Sequence, residues 1–234
     1  MPPKKNALPK IWVSHPTGNA NVRAVVDTFE RNHMLNTFHT CIGIGCDSKK
    51  TLTNKLFGQR RCPIPSRKIK TMPTRELLRL LLQKRNYLPS LRRHETGPLC
   101  IDRVYQTLDA RIAQRLKATK HLPNALYAYE DGALQSFLAA RSLGTTCIYD
   151  LPIGYWRTAR RIQSEEAGLK PEWAHTMHAL KDSESKLARK DAELQAADAI
   201  FVASQFTADS LKDAPFELPT PAIIPYGCPD VELD

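Results

Sequence analysis

The sequence contains no apolar run approaching the ~18 residues a membrane span takes. Its first ten residues, though basic, lead into no apolar stretch of the secretory kind. A cytosolic chain, at most peripheral at the inner face of a membrane, is therefore expected. Cys41, Cys46, Cys62, Cys100, Cys147 and Cys228 form no C-x-x-C pair. A zinc ribbon or dithiol redox centre has no spacing to rest on, and free thiols are expected, with Cys41, Cys100 and Cys147 in apolar surroundings. No glycine falls in a G-x-G-x-x-G or a G-x-x-x-x-G-K-[ST] pattern, which removes the fingerprints of a bound dinucleotide and of a P-loop. Ser204 lacks the G-x-S-x-G of a hydrolase elbow. His175 and His178 share a helix face without a third ligand, so no metal and no bound cofactor are expected.

Acidic residues are missing from one stretch. Between Lys49 and Arg93 stand 14 Lys and Arg, with Glu76 the single acid, although the whole chain carries only +10. The rest is thus slightly acidic, and a basic face implies an acidic partner: nucleic acid, an anionic membrane surface or a phosphorylated substrate. Aromatic side chains are scarce there, only Phe57 and Tyr87, so stacking platforms for single-stranded nucleic acid are not apparent. Within the stretch, Thr74 is a plausible N-cap for a helix from Arg75 to about Asn86. Leu77, Leu78, Leu81 and Leu82 form its apolar stripe, and Arg75, Arg79, Lys84 and Arg85 are the expected membrane or polyanion contacts.

Elsewhere short apolar runs alternate with helical spacing. Strands are expected at Lys10 to His15, Phe38 to Ile44, Ala125 to Tyr129, Thr145 to Tyr149, Ala199 to Ala203 and Ala222 to Ile224. Helices are expected after Asn19, over Leu99–Lys117, Gly132–Leu143 and Tyr155–Glu166, from Pro171 to about Ala197, and over Gln205–Lys212. Continuously apolar strands separated by helices need cover on both faces. The expected fold is α/β: a Rossmann-like, doubly wound, mainly parallel sheet with helices on both sides. It would occupy residues 10–214, with a basic tail at 1–9 and a proline-rich linker at 215–234.

In such a fold ligands bind beyond the carboxyl ends of the strands. His15, Gly18 and Asn19 follow the first strand, Glu130 and Asp131 the Ala125 strand, Asp150, Tyr155 and Arg157 the Thr145 strand, and Ser204 the Ala199 strand. A turn into a helix N-terminus welcomes phosphate. Glu130 has the chemistry of a general base or of a hydrogen-bond acceptor for a substrate hydroxyl, while Asp131 stands where it would cap the next helix.

Three stretches resemble a known family: 127–150, 188–210 and 222–228. Glu193, Leu194, Ala197, Asp198, Ile200 and Ser204 follow its E-x-x-L-x-x-A-D-x-I-x-x-x-S pattern, with the leucine slightly early, and Ile224, Pro225, Tyr226 and Gly227 give I-P-x-G. The order and composition resemble the N-terminal half of a GT-B glycosyltransferase of the family 4 type. The resemblance implies retaining transfer of a hexosyl group from a nucleotide-sugar co-substrate to a carbohydrate or lipid-linked acceptor, in a cleft between two Rossmann-like domains. This chain would be the acceptor-binding domain, inactive by itself unless the C-terminal, donor-binding domain or a second polypeptide completes it. By position, Gly18 and Asn19 match the loop near the donor diphosphate, and Glu130 or Asp131 the catalytic strand-end group. Asp150, Tyr155, Arg157 and Ser204, with His15, match the acceptor side. The family's acceptors would make the basic helix a membrane-docking element. The competing expectation is a basic binding module for nucleic acid or another polyanion.

Overall fold

The computed structural model describes residues 8–48, 58–85 and 87–227. Seven strands form one sheet: β1 (Ile11–Ser14), β2 (Leu35–Thr40), β3 (Ile69–Thr71), β4 (Ala125–Tyr129), β5 (Thr146–Leu151), β6 (Ala199–Val202) and β7 (Ala222–Ile223). Their order is β3-β2-β1-β4-β5-β6-β7, and every neighbouring pair is parallel. Succession therefore runs one way from β1 to β3 and the other way from β4 to β7. The direction reverses between β1 and β4, the place where parallel α/β sheets bind ligands.

Among the described residues, seven α-helices cross between or follow the strands: α1 (Ala20–Arg31), α2 (Thr74–Lys84), α3 (Ile101–Ala118), α4 (Leu134–Ser142), α5 (Trp156–Leu169), α6 (Glu184–Gln195) and α7 (Gln205–Ser210). On one sheet face Leu108, Ile112 and Leu116 of α3, Phe137 and Ala140 of α4, and Leu194 of α6 pack on Leu126, Cys147, Tyr149 and Ile200. On the other, Val22 and Val26 of α1 pack on Ile11, Val13, Leu35 and Phe38. Removing two such layers from water on each face is the main stabilising term of a parallel sheet. No helix among the described residues is long and apolar enough to cross a membrane.

Four local expectations are corrected. The second strand starts at Leu35 rather than Phe38, because an irregularity where it pairs with β1 puts Leu35 and Phe38 on one face despite their odd spacing. β3, a three-residue edge strand inside the basic stretch, is too short to give a periodic signal. Thr74 is the first residue of α2 rather than its cap. Pro171 opens two short 3-10 segments, 171–176 and 178–180, and the long helix begins only after Ser183, whose hydroxyl accepts the amide of Lys186. Part of the proline-rich stretch is sheet: Ala222 and Ile223 pair with β6, and Phe216 and Leu218 are half-buried against the core. Of the basic stretch, Lys49, Lys50, Lys55 and Phe57 lie outside the described residues, as does Cys228.

Candidate functional site

The β1–α1 turn and the end of β4 flank the reversal point, and they touch. The His15 ring packs against the Tyr129 ring with centroids 4.4 Å apart. His15 is buried, and its Nδ1 accepts the amides of Gly18 (2.9 Å) and Thr17 (3.2 Å). An Nδ1 that accepts is unprotonated, so the neutral ring carries its hydrogen on Nε2, which has no hydrogen-bond partner among the described residues. Burial, and then the Arg60 guanidinium, lower the His15 pKa to about 3. Gly18 sits at φ 59°, a left-handed conformation that glycine adopts freely. Asn19 caps α1 by accepting the amide of Val22 at 2.9 Å.

Two guanidiniums clamp this turn. Arg60 donates to the carbonyl of Thr17, and Arg23 donates to those of Gly18 (2.9 Å) and Gln59 (2.8 Å). Positive charge and the open end of a helix thus converge on one turn, an arrangement that favours an anion. Arg60 also reaches Glu76 (3.3 Å), which ties the basic stretch to the site.

Beside the turn, α1, the ends of β4–β6 and residues 224–227 enclose a cavity of about 540 Å³. Its wall is mainly apolar, from Ala24, Val25, Phe29 and Phe201, and its polar groups include Asp150 and Tyr127. The Tyr127 hydroxyl donates to Asp150 at 2.5 Å. Burial raises the Asp150 carboxyl above the usual range, and that hydrogen bond partly opposes the rise. Tyr226 lines the same cavity, and burial followed by the Asp150 charge raises its phenol.

Glu130 and Asp131 belong to a buried ionic network rather than to an open edge. Glu130 is 6% exposed and takes the Lys190 ammonium at 3.1 Å. Burial opposes the Lys190 charge, but Glu130 and Asp131 outweigh it and hold the ammonium charged. Asp131 does not cap α4. It lies at φ 70°, donates its amide to Glu193 (2.9 Å) and pairs its carboxylate with Arg189 (3.1 Å). Asp109 of α3 fills the cap instead, accepting the amides of Gln135 and Ser136.

The other expected acceptor residues are committed elsewhere. The Tyr155 hydroxyl (2.7 Å) and the Arg157 guanidinium (2.9 Å) both bind Asp191 of α6, with Arg157 stacked 4.2 Å over Trp156. Ser204 caps α7 by accepting the amide of Thr207 at 3.2 Å. His15, Gly18, Asn19 and Asp150 are thus the expected residues that the fold gathers around the turn and its adjoining cavity.

Among the basic contacts, Arg79 is turned inward and clamps buried Glu76 at 2.7 and 2.9 Å, so it is not a surface contact. Arg75 is half-buried and donates to the carbonyl of Pro98. Lys84 and Arg85 are exposed as expected. Leu77 packs inward, whereas Leu78 and Leu81 face solvent, so the four-leucine stripe is split.

Sequence reasoning missed Tyr129, Tyr226 and Arg60. Tyr129 was visible as the last residue of an apolar strand, but Arg60 lies 43 positions from Thr17 and no local signal connects them. His94, Glu95 and Asp182 bring ligand atoms within 4.8 Å of one another. The Lys186 ammonium, 2.9 Å from Asp182 and 3.1 Å from Asp102, already supplies a cation beside that group.

No protein-family model and no curated protein matches the chain. Among solved structures, TcCGT1 in complex with UDP matches 94% of this chain and 51% of its own, at 13% identity and TM-score 0.53. A putative UDP-N-acetylglucosamine 2-epimerase from Listeria monocytogenes matches 92% of this chain and 44% of its own, at 10% identity and TM-score 0.47. Anabaena Alr3699/HepE in complex with UDP and glucose matches 94% and 45%, at 13% identity and TM-score 0.44. The chain therefore spans about half the length of these structures. The first likeness establishes the fold: a Rossmann-like parallel α/β domain of the GT-B type, as expected.

Proposed function

We propose that this chain is the acceptor-side domain of a nucleotide-sugar-dependent glycosyltransferase of the family 4 type. The observation that carries the reading is the convergence of the His15–Asn19 turn, Tyr129 and the Asp150 cavity where the sheet reverses direction. The amides opening α1, flanked by Arg60 and Arg23, suit the diphosphate of a sugar donor, and the TcCGT1 structure of like fold holds UDP. The cavity beside Asp150 is the place for the acceptor, a carbohydrate or the saccharide of a lipid-linked one. Its carboxylate is the group to orient an acceptor hydroxyl.

The reading includes hexosyl transfer with retention. His15 has no basic lone pair to offer, since Nδ1 is committed to Gly18 and Thr17. Glu130 is neutralised by Lys190. Neither is placed to deprotonate an acceptor, and a front-face transfer needs no such enzymic base. The donor sugar and nucleotide base are assigned to a second domain, on the same or another polypeptide, so that this chain transfers nothing by itself.

Amide NMR of the 234-residue chain titrated with UDP tests the reading. The expected response is weak, with a dissociation constant of about 1 mM, and is confined to Thr17–Asn21. A turn that ignores UDP, sugar transfer by the isolated chain, or selective tight binding of an oligonucleotide would each refute it. Reconstituted with a donor domain, retention predicts a product whose anomeric configuration matches the donor's.

A further inference from the structure

The ring of His39, near the end of β2, is buried and has no role in the site described above. It leans on Trp12, with centroids 4.7 Å apart, and its Nδ1 accepts the Arg115 guanidinium of α3 at 3.0 Å. A ring nitrogen that accepts carries no hydrogen, so the imidazole is neutral. The partner that Arg115 has among the described residues is thus an uncharged group.

Two more cations stand beside it. Lys70 of β3 is the register partner of His39, so both side chains leave the sheet on the face that α3 covers, from strands about 4.8 Å apart. Arg111 precedes Arg115 by about one helical turn and shares its side of α3. Lys70 and Arg111 are exposed, Arg115 is half-buried, and Arg111 donates to Gln114 at 3.1 Å. Among the described residues none of the three pairs with a carboxylate, whereas Arg60, Lys68, Arg79, Arg157 and Arg189 all do. Burial and then the Arg111 charge both oppose the Arg115 charge. Taking a guanidinium partly out of water beside like charge costs free energy, and an oxyanion between the three cations is what would offset it.

We infer that Lys70, Arg111 and Arg115 form a binding site for inorganic phosphate or a soluble phosphomonoester, on the β2–β3 side of the sheet beneath α3. Three cations drawn from two elements match a single dianionic phosphoryl group, whose oxygens can take a guanidinium fork and an ammonium together. Nucleic acid uses cations spaced along a strand and aromatic faces open to its bases, and Trp12, the aromatic beside this cluster, is only 7% exposed. His39 is a positioning residue: its neutral Nδ1 holds one amino group of Arg115 and leaves the rest of the fork to the ligand. The cluster adjoins the α1 turn without being part of it, since the His39 carbonyl accepts the His15 amide at 3.0 Å.

NMR of the full chain titrated with inorganic phosphate and with glycerol 3-phosphate, against sodium chloride at equal ionic strength, tests this. Shifts at the His39 ring, the Lys70 amide and the Arg115 Nε–H are expected to saturate with a dissociation constant of about 1 mM, and chloride is expected to cause none. Arg115→Gln keeps a donor for His39 and is expected to weaken binding about tenfold. In phosphate-free buffer it is expected to melt no lower than the wild type, because the charge it removes has no counter-charge. Lys70→Gln and Arg111→Gln, at exposed positions, are each expected to weaken binding about fivefold. Phosphate is expected to raise the melting temperature of the wild type but not of Arg115→Gln. Equal shifts from chloride, shifts confined to Thr17–Asn21, or unchanged affinity in Lys70→Gln and Arg111→Gln would overturn the inference. So would an Arg115→Gln variant that melts well below the wild type in phosphate-free buffer, since the arginine would then be structural. Displacement of phosphate from the cluster by phosphatidylglycerol vesicles or by an oligonucleotide would also overturn it, giving the cluster to a lipid surface or to nucleic acid. The UDP response is read at Thr17–Asn21 and this one at His39, Lys70 and Arg115, so the two readings stand or fall separately.

Discussion

Asp109, midway along α3, accepts the backbone amide of Ser136 at 2.8 Å and so caps a helix that begins 25 residues later. Its other oxygen takes the amide of Gln135, also at 2.8 Å. Burial raises its carboxyl above the usual range, while hydrogen bonds from Ser136 and Gln135 pull the other way. Asp109→Ala leaves both amides without an acceptor and is expected to cost about 3 kcal/mol. Asp109→Asn restores one acceptor and is expected to cost about half that. Urea unfolding with an unchanged slope is the measurement. A cost below about 0.5 kcal/mol for the alanine variant would show that the cap is dispensable.

Acid sensitivity follows from His15 and His39. Both are buried, and both have a pKa lowered from 6.5 to about 3, first by burial and then by Arg60 for His15 and by Arg115 and Lys70 for His39. The unfolded chain takes up protons between these values that the folded chain refuses. Their stability contribution is therefore complete above pH 6.5 and is lost as pH falls toward 3, at up to ~1.4 kcal/mol per pH unit for each ring. Denaturant midpoints from pH 7 to pH 4 check the trend, and His15→Gln and His39→Gln should each flatten it. A His15 or His39 imidazole resonance, assigned by its loss in the glutamine variant, that titrates near 6.5 in the folded protein would contradict the burial of that ring.

Gly18 separates backbone strain from crowding. A Cβ there would meet Phe38 and Thr40 no closer than 3.8 Å, an ordinary contact, so its φ of 59° is the whole constraint. Gly18→Ala is expected to cost about 1 kcal/mol, and Gly18→Asn less, because asparagine tolerates this region. A loss above about 3 kcal/mol in a thermal or urea melt would mean that the turn is sterically closed.

Thiol accessibility reads the packing independently. Among the described cysteines, Cys46 is exposed whereas Cys41, Cys62, Cys100 and Cys147 are buried. Burial pushes the Cys41 and Cys147 thiols up to about 12 and the Cys62 thiol up to about 11, where little thiolate exists at neutral pH. In a Cys228→Ser background, an aromatic disulfide reagent is expected to titrate one thiol in the native protein and the other four only on unfolding. Prompt reaction of two or more would mean that the sheet faces are less well covered.

The parallel α/β class was legible because β4, β5 and β6 are short apolar runs between helical periods. β2 was misplaced at its start, since the pairing irregularity with β1 breaks the alternation that a reader counts on. The turn at His15, Gly18 and Asn19 was legible from residue type and position after a strand. The fates of Glu130, Asp131, Tyr155 and Arg157 were not, because Lys190, Arg189 and Asp191 lie tens of residues away and meet them only when α6 packs alongside.

What the sequence by itself determined is therefore local: strand and helix content, the turn chemistry at Gly18 and Asn19, and the concentration of positive charge between Lys49 and Arg93. These depend on neighbours within a few positions, where propensity and periodicity act. The tertiary structure decided which charges are free. Arg79 in α2 and Arg85, which follows its last residue, are the same residue type six positions apart, yet one clamps buried Glu76 and the other faces water. It also decided which strand ends meet, since only the reversal of order between β1 and β4 brings His15 against Tyr129. Burial and long-range pairing turn on groups distant in sequence, and the folded chain alone brings those together.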